Sequence, residues 1–239
     1  MYTNYIFDIY GTLIDIQTDE SSPLLWEKLA AFYSFKGALY TASELKEAYE
    51  HKVSLERAKI TNTLYPDFPL EPVFKSLYED KGVTVSTDTV IDTAQFFRVL
   101  STKYIKLYDG VITFLDELKK RGKKLYVLSN AQRVFTYYEM QLLGIVDYFD
   151  AIYFSADYGV CKPDSQFYNT LIKDLNLDIK KSIMIGNDFI CDIKGAHEVG
   201  LDSLYMHSNL SPDIEGELLS TYTLMECDVA KMIPLCIEK

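Results

Sequence analysis

The chain lacks any apolar run approaching the roughly 20 residues needed to span a bilayer. Its longest unbroken apolar stretches are short. It also lacks a surplus of positive charge: 24 Lys and Arg stand against 35 Asp and Glu, a formal charge of −11. A general nucleic-acid binder needs a basic face to displace counterions, so that class is excluded. The N-terminal stretch MYTNYIFDIYGTL has no basic segment followed by an apolar one, so it does not read as a secretory signal. Cysteine is scarce: Cys161, Cys191, Cys227 and Cys236 form no C-x-x-C pair and no zinc spacing with a histidine. Reduced thiols in a cytoplasm are the expected setting, because a chain of this size needs no disulfide staples. His51, His197 and His207 are scattered, and none accompanies a Ser or Cys nucleophile signature. Repeats, low-complexity tracts and Pro/Ser-rich linkers are absent too.

What is present has two textures. The 239 residues, 48% hydrophobic and 25% charged, suit one large globular domain or two modest ones. Residues 2–7, YTNYIF, read as a strand that ends at Asp8 and a Gly-Thr turn. From about 20 to 100 the apolar residues recur at three- and four-residue spacing, through SPLLWEKLAAFYSF, ASELKEAYEHKVSLERAKI, PVFKSLYEDKG and DTAQFFRVLSTKYI. That pattern predicts a helical bundle, with starts at Ser22-Pro23 and Ser43. From Tyr108 onward helix and strand alternate: GVITFLDELKKRG, KLYVLSN, VFTYYEMQLLG, DAIYFS, DSQFYNTLIKDLN, SIMIG, FICDIKGAHEVG and DSLYMH. The tail TYTLMECDVAKMIPLCIEK reads as a last strand and helix. Such alternation predicts a doubly wound α/β parallel sheet with helices on both faces. Residues 1–14 and 105–239 would form this core, with 15–104 inserted as the helical block.

Ligands of such sheets bind outside the carboxyl ends of the strands. After the strands come Asp8, then Ser129-Asn130, then a loop with Lys162-Pro163, then Gly186-Asn187-Asp188 with Asp192 a helical turn further on. Carboxylates on adjacent strand ends repel one another, so they need a proton or a cation. Few oxygen ligands with room for water favour Mg²⁺. A carboxylate can also act as a nucleophile and form an aspartyl-phosphate. Ser129 and Asn130 precede a helix whose free N–H groups suit an anion, and Lys162 supplies a point charge.

The ordered set DIYGTL, LSN, KPD and GNDFICD resembles the four motifs of the haloacid dehalogenase-like (HAD) hydrolase superfamily, and the inserted helices resemble its C1-type cap. The resemblance covers essentially the whole chain. It implies a Rossmann-like core, Asp8 as nucleophile and metal ligand, and Thr12 as support for the first loop. It further implies Ser129 as a phosphate contact, Lys162 as the motif-three lysine, Asp188 and Asp192 as the acidic pair, and the Tyr10 carbonyl as a metal ligand. Asn130 joins Ser129 and Lys162 as a candidate substrate contact.

The pattern departs from the phosphatases in one place. Most of them carry a second Asp two residues after the nucleophile, as general acid and base; here Tyr10 stands there. A phenol with an ordinary pKa near 10 is a possible acid and a poor base. One reading is a Mg²⁺-dependent phosphatase of a small phosphate ester or acyl phosphate. A second is an L-2-haloacid dehalogenase without metal, which D-x-Y-G-T-L and K-P-x-x-x-x-Y resemble. Against it, Asn187 and Phe189 stand at its motif-four Ser and Asn positions, and no Arg occurs between Asp8 and Arg57. A third is a catalytically impaired phospho-ligand-binding module. Whether Asn187 or Asp188 is the first motif-four ligand stays open. Tyr168, and the aromatics Trp26, Tyr33, Phe35 and Tyr40, are expected mainly to pack cores rather than line a pocket.

Overall fold

The computed structural model describes residues 1–236. Strand β1 (Asn4–Phe7) lies at the centre of a six-stranded parallel sheet. It pairs on one side with β4 (Lys124–Ser129) and on the other with β6 (Ser182–Gly186). β5 (Ala151–Phe154) lies beyond β4, while β7 (Asp202–Met206) and β8 (Tyr222–Leu224) extend the other side. Side chains alternate across β1, as a strand requires. Tyr5 and Phe7 enter one buried apolar cluster, and Ile6 enters the cluster on the opposite face. The strand order reverses around β1, which opens the crevice at its carboxyl end.

Four helices occupy the segment expected to be helical: α1 (Pro23–Phe35), α2 (Ala42–Ala58), α3 (Glu71–Glu79) and α4 (Thr87–Ser101). They enclose a separate apolar cluster that Val134 and Phe135 also join. Proline at the first position opens α1. Thr41, rather than Ser43, opens α2: its hydroxyl accepts the Glu44 N–H while the Glu44 carboxylate accepts the Thr41 N–H. Trp26 and Tyr33 are buried in the helical cluster, Tyr40 donates to the Leu77 carbonyl, and Phe35 is exposed.

One expectation fails. The spacing of STKYI predicts a helix, but α4 stops at Ser101 and Thr102–Leu107 forms β3. The hydroxyls of Ser101 and Thr102 both donate to the Arg98 carbonyl, closing the last turn. β3 then pairs antiparallel with β2 (Ile14–Thr18), so both connections to the helical segment run through this ribbon. KYIKL fits helical and alternating spacing alike, and only the partner strand decides between them.

The alternating half follows the expected order: α5 (Val111–Lys120), α6 (Arg133–Leu142), the short α7 (Ser155–Tyr158) and α8 (Ser165–Asp174). FICDIKGAHEVG is not one α-helix. Phe189–Lys194 is a π-helical turn, continued by α9 (Gly195–Glu198). The tail gives β8, a 3₁₀ turn at Val229–Met232 and α10 (Ile233–Cys236); the remainder of the expected helix lies outside the described residues. No helix among the described residues is long and apolar enough to cross a membrane.

Candidate active site

The crevice brings Asp8, Ser129, Lys162 and Asp192 into direct contact. Asp8 leaves the end of β1, and its N–H is held by the Ile185 carbonyl of β6. The Ser129 hydroxyl, at the end of β4, donates to Asp8 Oδ1 at 2.9 Å. Lys162 Nζ donates to the same oxygen at 2.8 Å and to Asp192 Oδ1 at 2.6 Å. Its side chain is only 1% exposed, so the ammonium is a buried bridge between two carboxylates. Burial works against its charge, but Asp192 and Asp8 outweigh that and hold it above the usual lysine range. Burial pushes the Asp192 carboxyl up, against the pull of Lys162.

Asp192 was expected beside a metal. Its Oδ1 accepts from Lys162, and its Oδ2 accepts the Asp188 N–H at 2.9 Å. These two bonds link Asp192 to Lys162 and to the Asp188 loop. Asp188 lines the pocket, and its Oδ1 accepts the Ile190 and Cys191 N–H groups, each at 2.8 Å. This caps the π-helical turn, a distortion frequent at functional sites. The neighbouring Asn187 accepts from the Thr12 hydroxyl at 3.2 Å, tying the first loop to the fourth. Tyr168 donates to the Cys191 carbonyl at 2.6 Å, which holds the same turn from behind.

Asn130 does not present a free carboxamide. Its Oδ1 accepts the Lys162 N–H at 2.7 Å, and its Nδ2 donates to the Lys162 carbonyl at 2.9 Å. Both ends fix the backbone of the lysine, so Asn130 sets where Lys162 starts. The Tyr10 phenol is likewise engaged, by Glu139, Thr136 and Arg98.

Two glycines are required by close approach. Gly11 has φ +83°, and a Cβ there would lie 2.3 Å from Asn187 Nδ2. At Gly186 a Cβ would lie 2.2 Å from the Asp192 carboxylate, against a side chain with nowhere to move. Gly186→Ala should therefore cost on the order of 1–3 kcal/mol of stability, read as a lowered Tm. Any folded fraction should lose activity as Asp192 is displaced from Lys162. An unchanged Tm would remove the steric argument.

The pocket has a volume of about 180 Å³. Besides the predicted residues, Asn187, Cys191, Leu210 and Pro212 line it. Leu210 and Pro212 come from the loop after β7 and had no chemical signal in sequence. Burial and the neighbouring Asp188 push the Cys191 thiol well up, so it stays protonated at neutral pH. Among the described lining residues none comes from α1–α4. A separate cavity of about 370 Å³ between α4 and α6 is mostly apolar.

The donor set can be tested against a hard cation. Among the described residues no three His, Cys, Asp or Glu side chains form a ready metal cage. Mg²⁺ asks for less: one or two carboxylates, with waters and substrate oxygens completing the shell. Asp8 and Asp188 both line the pocket, and the described bonds to each fall on Oδ1. The second oxygens and the Tyr10 carbonyl are all hard oxygen donors, the chemistry that Mg²⁺ takes.

A carboxylate steered by a buried lysine at the switch point of a parallel sheet suits a hydrolase that works by covalent catalysis. The model of the haloacid dehalogenase-like hydrolase family matches residues 2–200, and the chain belongs to that family. It is 23% identical over 239 residues to the HAD-hydrolase YfnB of Bacillus subtilis, covering 95% of this chain and 93% of that one. The crystal structure of YfnB, described as bound to magnesium, superposes with a TM-score of 0.58 at 19% identity, covering 99% of both chains. The pyrimidine 5'-nucleotidase PynA of Streptococcus pneumoniae is 23% identical over 245 residues, covering 95% of this chain and 94% of that one. A dehalogenase crystal structure matches with a TM-score of 0.60 at 16% identity, covering all of this chain and 98% of the other. At these identities the solved structures speak for the fold.

Proposed function

We propose that this chain is a Mg²⁺-dependent phosphatase of a small phosphorylated metabolite, acting through an aspartyl-phosphate on Asp8. The observation that carries the reading is the buried Lys162 ammonium, shared between Asp8 and Asp192, with Ser129 on the same Asp8 oxygen. Such a lysine places positive charge beside the nucleophile, where a phosphoryl group would arrive. Asp8 attacks phosphorus in line, and the phosphorus–oxygen bond to the leaving group breaks. Ser129, Lys162 and the N–H groups leading into α6 stabilise the equatorial oxygens. Water then releases phosphate and restores the carboxylate. Bound at Asp8, Asp188 and the Tyr10 carbonyl, Mg²⁺ would supply neutralising charge for the phosphate oxygens. Residues 15–104 act as a cap that shields the crevice, on the core of 1–14 and 105–239. The phosphatase and nucleotidase names of relatives support the reaction class. A pocket of about 180 Å³ supports a small substrate.

The test is turnover of p-nitrophenyl phosphate, acetyl phosphate and a pyrimidine 5'-nucleotide, with Mg²⁺ and with chelator. Chelation should remove activity by about 100-fold or more, and Mg²⁺ should restore it. The second reading, a dehalogenase, is favoured by Tyr10 and by the dehalogenase-like fold. Metal-independent release of chloride from L-2-chloropropionate would establish it over the first.

A further inference from the structure

The residue two positions beyond Asp8 makes a set of contacts that the phosphatase reading does not use. A phenol has one proton to donate and two lone pairs to offer. The Tyr10 hydroxyl donates to Glu139 Oε2, and it meets Thr136 Oγ1 at 2.7 Å and the Arg98 guanidinium at 3.2 Å. Its hydrogen-bonding capacity is therefore filled. Arg98 also donates from Nε to Glu139 Oε1 at 2.6 Å and lies over the rings of Tyr10 and Phe135, at 5.6 and 5.4 Å from their centroids. The ion pair is largely buried, at 14% and 10% exposure. Arg98 belongs to α4, whereas Thr136 and Glu139 belong to α6. Tyr10 thus sits where the helical segment, the core helix and the nucleophile loop meet.

Resting on the phosphatase reading, we propose that Tyr10 is a positioning residue that fastens α4 to the nucleophile loop. We propose with it that the site selects phosphates whose leaving group departs without a proton: acyl phosphates and activated aryl phosphates rather than alkyl phosphates. To protonate a leaving oxygen, the phenol would have to break its bond to Glu139. When the phosphorus–oxygen bond breaks, the electron pair stays on the leaving oxygen. In an acyl phosphate that oxygen becomes a carboxylate, whose acid titrates near roughly 4. In an alkyl phosphate it becomes an alkoxide, which needs a proton during departure. The hydrolytic second step expels the Asp8 carboxylate, so it too needs no acid; the proton of the attacking water passes to a phosphoryl oxygen and leaves with the phosphate.

The experiment compares kcat/KM of the full chain for acetyl phosphate, p-nitrophenyl phosphate and glycerol 1-phosphate. The measurement needs no variant. The first two should exceed the third by about 10²–10⁴, the usual worth of general acid catalysis. Equal values would overturn the leaving-group selection. Tyr10→Phe should lower all three by one common factor, and should speed amide exchange in α4 and β3. If it lowers glycerol 1-phosphate at least tenfold more than acetyl phosphate, Tyr10 is the acid and the proposal falls. Unchanged exchange in α4 and β3 would remove the fastening role. Absence of turnover on all three, with no phosphoryl group found on Asp8 by mass spectrometry, would instead remove the phosphatase reading beneath it.

Discussion

Asp8→Asn should reduce turnover of every phosphate substrate by about 10⁴-fold or more while leaving the fold intact. The two halves of this expectation have different origins. The carboxamide cannot open a covalent path, because its neutral oxygen is a poor nucleophile. Stability follows from charge counting. Asp8, Lys162 and Asp192 form a buried group of two carboxylates and one ammonium, with an excess negative charge. Removing the Asp8 charge leaves Lys162 paired with Asp192 alone, so the cluster becomes neutral. The asparagine keeps an oxygen for Ser129 and Lys162 to meet. Tm should therefore hold or rise slightly. Mass spectrometry should find a phosphoryl adduct on the native chain after mixing with acetyl phosphate, and none on Asp8→Asn. Retained turnover in a correctly folded Asp8→Asn would end the covalent mechanism.

Lys162→Met should do the opposite to stability. It leaves Asp8 and Asp192 facing each other without a cation, in a site where both are nearly excluded from water. Breaking one partner out of a buried pair costs about 3–5 kcal/mol. For a chain of this size that lowers Tm on the order of 10 °C. Activity should fall as well, since Lys162 carries the positive charge next to the nucleophile. The double variant Lys162→Met/Asp192→Leu separates the two effects. Replacing the buried pair by apolar groups should recover much of the lost Tm without recovering activity. If Lys162→Met melts like the native chain, the bridge contributes no net stability and the burial argument is wrong.

Much of this arrangement was legible along the chain. Asp8, Ser129, Lys162 and Asp188 each follow a recognisable strand, and a parallel sheet puts strand ends on one rim. Their convergence was thus implied by alternation of pattern and by order. The partners of each polar atom were not. Asn130 and Asp192 read equally well as a substrate contact and a metal ligand, because type and position cannot say which oxygen is already taken. Their hydrogen bonds with the Lys162 backbone and the Asp188 N–H appear only in the folded chain. Arg98 and Glu139 gave no signal at all: they are 41 residues apart and meet only when α4 packs on α6. The same holds for β3, whose residues suit helix or strand until β2 supplies a ladder.

The sequence is sparing in positive charge and cysteine and has no long apolar run. By itself the sequence determined the α/β class, the inserted helices, and which residue types stand at the strand ends. Those follow from hydrophobic period and chain order, which are local properties. Tertiary structure alone decided how one buried lysine offsets two carboxylates, and how the phenol beside the nucleophile is tied off by a helix from the inserted segment. Pairings between distant side chains depend on distance, burial and which lone pair is free, and a chain acquires those only by folding.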